Sequence, residues 1–511
     1  MVRNLADLLA VAGRRFGARE AVVAPDRTVS FSELDDLASR VASKLLAEGI
    51  GSGDVVTLWF DNGWRWMAAY YGALRAGAVV NPVNALLTSA EVDYIVRDCR
   101  ARLIIGAAER IHTLTPGVRT VDDAAGLDAM LTPRACTERL PATDIGSSSL
   151  ASICYTSGTT GQPKGAMLTH QAVLMNTLMT SLMHGRGAGD VVVSALPCPH
   201  VYGNVVMNSA IACGMTLVLF SRFDEEAVLD AIVRYRATLF EGVPTMYMRL
   251  LNHVALERAE LSSLQRCTVG GQTMPVTTMQ EVERRFGCRL LELWGMTELA
   301  GLGTTHPWNG PSRLGSIGVP LPFYEARVVH VEDTNRVMPE GEVGELLIRG
   351  PSVMNGYLGN DVATREAMEP DGWLHTGDLV HRDREGCYYV VDRKKEMILT
   401  AGYSVYPAEL ERVIAGHPAV AMVAVGRIPD ATRGEVAKAY VVLRSGAAAT
   451  AEQIVEYCRG QLAAYKLPRQ VQFVADLPRT STGKILRREL YRLDAPAGAR
   501  VSDSRIHGEA S

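Results

Sequence analysis

The sequence predicts an α/β protein: a large N-terminal domain of parallel-sheet α/β subdomains with a small β-rich subdomain, then a small α+β C-terminal domain. Three observations carry this. Helix-period and strand-like apolar runs alternate from the N-terminus through residue 235, the rhythm of parallel strands linked by helices. Near residue 320 short strand-like runs between Gly and Pro turns take over. After Asp392 a charged run, Arg393-Lys394-Lys395-Glu396, introduces a compact pattern of its own.

At the N-terminus Leu5, Leu8, Leu9 and Ala12 fall on one helical face. Asp7 interrupts the apolar run and Arg14-Arg15 follow it, so an amphipathic helix is expected and not a signal peptide. Residues 31–48 and 64–76 have helical periodicity and enclose a strand-like run at 55–60. The stretch 194–220 is poor in charge, but Pro197, Pro199, Asn208 and Gly214 break it. It reads as buried turn, helix and strand, not a membrane span. A strand at 216–220 and a helix at 225–235 continue the alternation. Runs at 325–332, 344–349 and 387–392 form the β-rich part. The last domain reads as helix near 407–416, strands near 420–427 and 437–443, and helix near 451–462. The boundary is placed at the charged run, giving domains 1–394 and 395–511, with a flexible tail after about residue 493.

Composition bounds the function. The 511 residues allow about three domains at roughly 150 residues each. Hydrophobic residues are 47% and charged residues 21%, which excludes a disordered chain. Lys and Arg number 52 against 56 Asp and Glu. That near-balance lacks the basic excess that nucleic-acid or acidic-membrane binding needs. Nine cysteines are dispersed without a Cys-x-x-Cys pair, so zinc and thioredoxin-like readings have no spacing to stand on. Reduced thiols in a cytoplasmic protein are expected.

The most informative segment is Tyr155-Thr156-Ser157-Gly158-Thr159-Thr160-Gly161-Gln162-Pro163-Lys164-Gly165. Its glycines allow several backbone N–H groups to turn inward as an anion nest. Its Ser and Thr hydroxyls donate further bonds, and Lys164 adds a compact charge. The loop suits a polyphosphate. It is not a Walker loop, because Pro163-Lys164-Gly165 lacks the Gly-Lys-Ser/Thr order.

This segment resembles the phosphate loop of the adenylate-forming superfamily: acyl-CoA synthetases, peptide-synthetase adenylation domains and beetle luciferases. The resemblance continues in order along nearly the whole chain and is nearest to the stand-alone acyl-CoA synthetases. Residues 197–203 are similar to the acid-site segment, and Gly270-Gly271-Gln272 to the glycine-rich turn beside acid and adenine. Trp294-Gly295-Met296-Thr297-Glu298 is similar to the aromatic-Gly-x-Thr-Glu motif. Trp373-Leu374-His375-Thr376-Gly377-Asp378-Leu379 resembles the ribose motif, Asp392-Arg393-Lys394-Lys395 the hinge and Ser481-Thr482-Gly483-Lys484 the C-terminal lysine loop.

The resemblance implies two-step activation of a carboxylate, with ATP, Mg²⁺ and CoA as cofactors. A carboxylate oxygen attacks the α-phosphate of ATP; a thiol then attacks the acyl-adenylate and AMP leaves. Thr156, Ser157, Gly158, Thr159, Thr160, Gly161 and Lys164 would hold the phosphates. Gly271, Gln272, Trp294, Gly295 and Met296 would flank the nucleotide. Asp378 would accept the ribose hydroxyls, with Arg393 adding donors. Glu298 would ligate Mg²⁺ with a hard oxygen, and Thr297 would donate to the α-phosphate. Lys484 would bridge carboxylate and α-phosphate on a mobile lid pivoting at Lys395. Gly402 and Tyr403 would line the pantetheine path, Lys466 would support it, and His200 would guard its inner end.

The expected lining of the acyl pocket, Val201, Tyr202, Gly203, Asn204, Gly242, Val243, Gly270 and Gly301, is small and largely apolar, and its few large side chains leave room for the acid. Residues 200–203 hold no acid to pair an ammonium, so an amino acid is disfavoured. Malonate-type relatives carry Arg just before the aromatic-Gly motif; here Glu292-Leu293 stand there, disfavouring a small diacid. A hydrophobic monocarboxylic acid, fatty or aryl, is expected. One departure stands out: the family usually has Tyr where this chain has Trp294. An indole can still stack on adenine. Alternatively its bulk impairs ATP use and leaves an enzyme that thioesterifies a preformed acyl-adenylate from a partner adenylating enzyme. A further alternative is loading of a carrier protein in trans. A non-catalytic nucleotide-binding protein is disfavoured by the presence of Lys484, Glu298 and Asp378.

Overall fold

The computed structural model describes residues 2–114, 117–132, 145–156, 162–311, 313–400, 403–430, 432–479 and 485–494. The chain divides into two compact units between Val390 and Val391, a few residues ahead of the boundary expected after residue 394. The reason is Asp392. Its carboxylate accepts the N–H of Ala408 at 2.7 Å, which ties it to the second unit.

In the first unit Val55–Trp59, Val79–Pro82 and Leu103–Gly106 are buried at every position. Parallel strands covered on both faces read as such continuous apolar runs. They belong to a six-stranded sheet in the order Arg119–Asp122, Leu103–Gly106, Val55–Trp59, Val79–Pro82, Leu150–Thr156, Lys164–Thr169. Only the last pair is antiparallel. A nine-stranded sheet runs Val319–Pro320, Gly301–Thr305, Arg289–Met296, Arg266–Val269, Leu239–Gly242, Val191–Ser194, Thr216–Leu219, Glu20–Val23, Thr28–Ser30. It is parallel from Arg289–Met296 to Glu20–Val23. One apolar core joins both sheets to the helices Leu5–Phe16, Phe31–Ala47, Trp64–Arg75, His170–Met183 and Val201–Cys213. A second core lies under Glu225–Arg234, Pro244–Asn252 and Val276–Phe286. Leu5, Leu8, Leu9 and Ala12 are buried as the helical reading expects. Among the described residues no helix is long and apolar enough to cross a membrane.

Local signals fix several helix starts. Ser30 accepts the N–H of Glu33 while the Glu33 carboxylate accepts the N–H of Ser30, and Thr88 with Glu91 and Thr450 with Gln453 repeat this box. The β-rich part is a four-stranded sheet of Glu325–Val329, Gly344–Arg349, Leu374–Arg382 and Tyr388–Arg393. The second unit pairs Val420–Asp430 with Gly434–Leu443 as a long antiparallel ribbon. Leu410, Ile414, Ile454 and Cys458 of the helices Pro407–Ala415 and Ala451–Arg459 pack on it. The ribbon is longer than the sequence suggests because Arg427, Pro429 and Glu435 break apolar alternation while the strands remain paired.

The helix Trp64–Arg75 is buried along nearly its whole length, including its last residue. Arg75 forms an ion pair with Asp35, with side chains only 3% and 2% exposed. It also donates to the Asp35 carbonyl at 3.0 Å. Asp35→Ala would leave a buried guanidinium uncompensated, at a cost of about 3–5 kcal/mol. Removing the exposed Glu281 that pairs with Arg284 should cost about 1 kcal/mol or less. Urea denaturation of the two variants is expected to show that order; equal midpoints would refute it.

Candidate active site

Several residues singled out by sequence follow the ends of parallel strands. Val191–Ser194 leads to His200, Leu239–Gly242 to Val243, Arg266–Val269 to Gly270, and Arg289–Met296 to Thr297. The carboxyl ends of such strands are where α/β sheets bind ligands.

Leu150–Thr156 and Lys164–Thr169 form a hairpin whose register pairs Thr156 with Lys164. It closes the phosphate-loop segment; Ser157, Gly158, Thr159, Thr160 and Gly161 lie outside the described residues. The segment at 355–358 docks on the outer strand: Met167 donates to the Gly356 carbonyl at 3.0 Å and Leu358 to that of Gly165 at 2.8 Å. This places the ring of Tyr357 5.3 Å from the Lys164 ammonium, a cation–π distance. The Tyr357 hydroxyl donates to Glu298 Oε1 at 2.7 Å. Burial first, then the Glu298 charge, pushes the phenol up from its ordinary range, so it stays a donor. Sequence reading did not single out Tyr357. Its Gly-Tyr-Leu setting reads as an ordinary turn, and only tertiary pairing brings it between lysine and carboxylate.

Glu298 lies in a tight reversal. Arg289–Met296 runs into the single turn Thr297–Leu299, Ala300 takes φ +56°, and Gly301–Thr305 returns antiparallel. A Cβ on Gly295 would lie 2.1 Å from the Gly301 carbonyl oxygen, so glycine is required there. The buried carboxamide of Asn176 clamps the turn. Its Nδ2 donates to the carbonyls of Leu299 at 3.0 Å and Leu302 at 2.7 Å, and its Oδ1 accepts the Leu302 N–H at 3.1 Å. Glu298 is 7% exposed, and its own carbonyl accepts Met354 N–H at 2.8 Å. Thr297 and Met296 are half-buried.

Upstream on the same strand, Trp294 is buried, and its indole Nε1 donates to Asp378 Oδ2 at 3.0 Å. Asp378 is held from its backbone side. Its N–H donates to Thr376 Oγ1 at 3.1 Å, and that hydroxyl donates to the Leu346 carbonyl at 2.7 Å. Glu292 lies two residues before Trp294 on the same strand. Burial raises its carboxyl to about 8, and its Oε2 has no hydrogen-bond partner among the described residues.

His200 caps the helix Val201–Cys213, its Nδ1 accepting the Tyr202 N–H at 3.2 Å, and its side chain is exposed. Asn62 fixes the preceding turn by accepting from Cys198 N at 2.8 Å and donating to the Leu196 carbonyl at 2.9 Å. Tyr202 enters a buried polar lattice: its hydroxyl lies 3.1 Å from Glu241 Oε2 and 2.5 Å from Thr268 Oγ1, and Glu241 pairs with Arg186 at 2.5 Å. The carboxamide of Asn204 is engaged with Tyr70 at 3.4 Å and Asn208 at 2.8 Å. The pocket glycines have a different reason from the one the sequence suggests. A Cβ on Gly203 would meet the Pro197 carbonyl oxygen at 2.2 Å, on Gly270 Leu293 at 2.2 Å, and on Gly301 Asn176 Oδ1 at 2.4 Å. A Cβ on Gly242 would meet the Tyr247 and Phe240 rings at 3.0 and 3.2 Å. These glycines permit close packing of the site's walls. Gly271 has φ +89° with Val243 3.6 Å from its missing Cβ, and Gln272 is half-buried.

In the second unit Arg393 and Lys395 are exposed. Gly402 and Lys484 lie outside the described residues. Tyr403 stacks on Tyr465 with centroids 4.7 Å apart, although both remain partly exposed. Lys466 is paired with both oxygens of Glu409 at 2.7 Å, so its ammonium is already neutralised. Arg487 pairs with Glu411 at 2.5 Å and with Glu396, anchoring the chain just after the lysine loop.

Comparison with known proteins fits this geometry. A family model described as AMP-binding enzyme matches residues 9–358, and one described as AMP-binding enzyme C-terminal domain matches residues 409–484. The long-chain-fatty-acid–CoA ligase of Bacillus subtilis (strain 168) is 34% identical over 96% of this chain and 94% of its own length. A feruloyl-CoA synthase from Amycolatopsis sp is 35% identical over 91% of this chain and 94% of its own. The crystal structure of ATP-bound MatB from Rhodopseudomonas palustris superposes with a TM-score of 0.89 at 32% identity, covering 96% of this chain and 99% of that one.

Two predictions follow from the geometry. Asn176→Ala strands three buried backbone groups, each costing roughly 1–3 kcal/mol, and is expected to lower the thermal midpoint with nucleotide absent; an unchanged midpoint would rule out the clamp. Glu292 has a folded pKa of about 8, above the usual unfolded value of about 4.3. Its stabilising contribution is therefore full below pH about 4.3 and lost as pH rises through about 8. Glu292→Gln should gain stability relative to the parent across that window in denaturant titrations, and a pH-independent difference would contradict the assignment.

Proposed function

From the premise that this chain belongs to the AMP-binding enzyme family and is an AMP-forming acid–CoA ligase, we propose that it converts a hydrophobic monocarboxylic acid, fatty or aryl, to its acyl-CoA thioester through an acyl-adenylate. One observation supports this most. The segment Arg289–Leu299 carries Trp294, whose indole holds Asp378, and Glu298, which Tyr357 joins to the phosphate-loop lysine. The strand and turn that carry the proposed cation-binding carboxylate are thus tied through Trp294 to the proposed ribose acceptor on the strand Leu374–Arg382.

Each residue has a task set by charge. Lys164 and the loop hold the β- and γ-phosphates. Glu298 would hold Mg²⁺: its Oε1 accepts from Tyr357, and an ionised carboxylate has about four lone-pair sites, so room for a cation remains. Mg²⁺ commonly takes one or two carboxylates with substrate phosphates; it supplies charge neutralisation. Thr297 donates to the α-phosphate. Lys484 stabilises the charge that develops as the carboxylate oxygen bonds to the α-phosphorus and pyrophosphate departs. In the second half-reaction the thiol sulfur bonds to the acyl carbon, the bond to AMP breaks, and the thiol proton leaves to solvent or a nearby base; His200 stands at that end. Lys395 is the pivot, Tyr403 with Gly402 lines the pantetheine path, and Arg393 serves the nucleotide. Lys466, committed to Glu409, acts by shape.

The acid assignment draws on the relatives, whose names specify long-chain fatty acids and ferulate, and on the absence of an acidic partner in residues 200–203. A cytoplasmic location is part of this reading, drawn from dispersed cysteines without a Cys-x-x-Cys pair. The test is a panel of fatty and aryl acids with ATP, Mg²⁺ and CoA, reading pyrophosphate and thioester separately. Acid-dependent pyrophosphate and acyl-CoA are expected, with Lys484→Ala lowering pyrophosphate release by about 10²–10³-fold. Thioester formed only from supplied acyl-adenylate would replace this reading with the half-enzyme one. Preference for a pantetheinyl carrier over CoA would replace the acceptor.

A further inference from the structure

We propose that Trp294 is a positioning residue that works through its indole N–H, holding Asp378 in the orientation that reads the nucleotide's ribose. The inference rests on the nucleotide-site reading above and assigns the departure at position 294 a role distinct from ring stacking.

The geometry is specific. Nε1 lies 3.0 Å from Asp378 Oδ2, with Trp294 9% and Asp378 3% exposed. A hydrogen bond to a charged acceptor in such a screened place is stronger than one in water. The ring is seated from its other edge as well. A Cβ on Gly303 would come within 2.4 Å of Trp294 Cζ3 and 2.9 Å of Leu299 Cδ1. Any side chain at 303 would therefore displace the indole. Asp378 is fixed from its backbone by Thr376, and Gly377 before it takes φ +68°. The partnered N–H is not a default. The indole nitrogens of Trp59 and Trp66 are buried with no partner among the described residues.

Residue chemistry makes the indole distinct. Phe carries no donor. The donor of Tyr stands at the far end of the ring, well beyond the reach of Nε1 on the five-membered ring. Neither can repeat this contact from the same backbone position. An oriented carboxylate presents one edge to a pair of neighbouring hydroxyls; a carboxylate free to rotate pays orientation entropy on each binding event. Trp294 is also four residues from Glu298 on the same strand and turn. The N–H therefore joins that turn to the strand Leu374–Arg382, which carries Asp378.

The experiment measures equilibrium binding of AMP, 2′-deoxyAMP and 3′-deoxyAMP to the full chain by isothermal titration, so no turnover is required. Wild type should prefer AMP over both deoxy analogues. Trp294→Phe, which keeps an aromatic ring, should weaken AMP binding by about tenfold and narrow its preference over the deoxy analogues by a similar factor. Trp294→Tyr should behave like Trp294→Phe. In Asp378→Asn the further change to Phe should add little, the signature of two groups acting as a unit. Thermal melts of each variant report folding, and only the preference ratio counts, because a purely structural loss weakens all three ligands alike. An unchanged preference in Trp294→Phe, a Tyr variant that retains it, or additive losses with Asp378→Asn overturn the proposal while leaving the ligase reading standing. A wild-type chain that binds AMP without any ribose preference overturns it too. Absence of any adenine-nucleotide binding overturns both.

Discussion

The carboxamide of Asn176 is the contact on which the catalytic face depends. A helix residue five strands earlier in the chain meets one donor and two acceptors of the reversal at Leu299–Leu302. Without it a turn containing a left-handed alanine, φ +56°, would have buried backbone groups and no ladder to join. Glu298 sits in that turn and Trp294 on the strand entering it. The placement of two side chains proposed to serve the nucleotide thus depends on a residue whose hydrogen bonds to the turn go to Leu299 and Leu302. Gly295 and Gly301 complete the constraint, because their missing side chains let the strand, the return strand and Asn176 approach to contact.

Several buried carboxylates among the described residues differ in the donors that meet them. Asp35, Asp190, Glu241 and Glu409 meet Arg75, Arg266, Arg186 and Lys466. A cation compensates the buried charge and also cancels the field that charge could exert. Glu298 and Asp378 receive an O–H from Tyr357 and an N–H from Trp294. A neutral donor orients a carboxylate without itself cancelling the charge.

Much of this was legible in the sequence, for physical reasons that can be named. The alternation of buried strands and capped helices fixes the α/β class, because parallel strands such as Val55–Trp59 are covered on both faces and helix starts carry Ser-x-x-Glu or Thr-x-x-Glu boxes. Glu298, Asp378 and Lys164 could be named because each lies in a dense local motif. Tyr357 and Asn176 could not. Each acts across more than a hundred residues of chain, Asn176 on Leu299 and Leu302 and the Lys164 partner Tyr357 from residue 357, and neither sits in a pattern that periodicity or turn chemistry marks. The pocket glycines were legible as necessary but not as to purpose: Gly203 and Gly270 face a carbonyl and a leucine, a matter of packing that composition cannot show.

The same distinction bears on Trp294. Read from sequence, its indole is a larger ring in a place for a ring, able to stack on adenine and different in bulk. In the fold, size is absorbed by Gly303, whose missing Cβ leaves space for the six-membered ring. What remains different from Phe or Tyr is the nitrogen, and the nitrogen faces Asp378. Bulk that is accommodated by a glycine on the adjoining strand does not by itself intrude on a ligand. A donor aimed at a carboxylate changes how that carboxylate meets one. The consequence of the departure is therefore decided by hydrogen bonding at the ribose acceptor, and the pairing of Trp294 with Gly303 and Asp378 is the unit on which it acts.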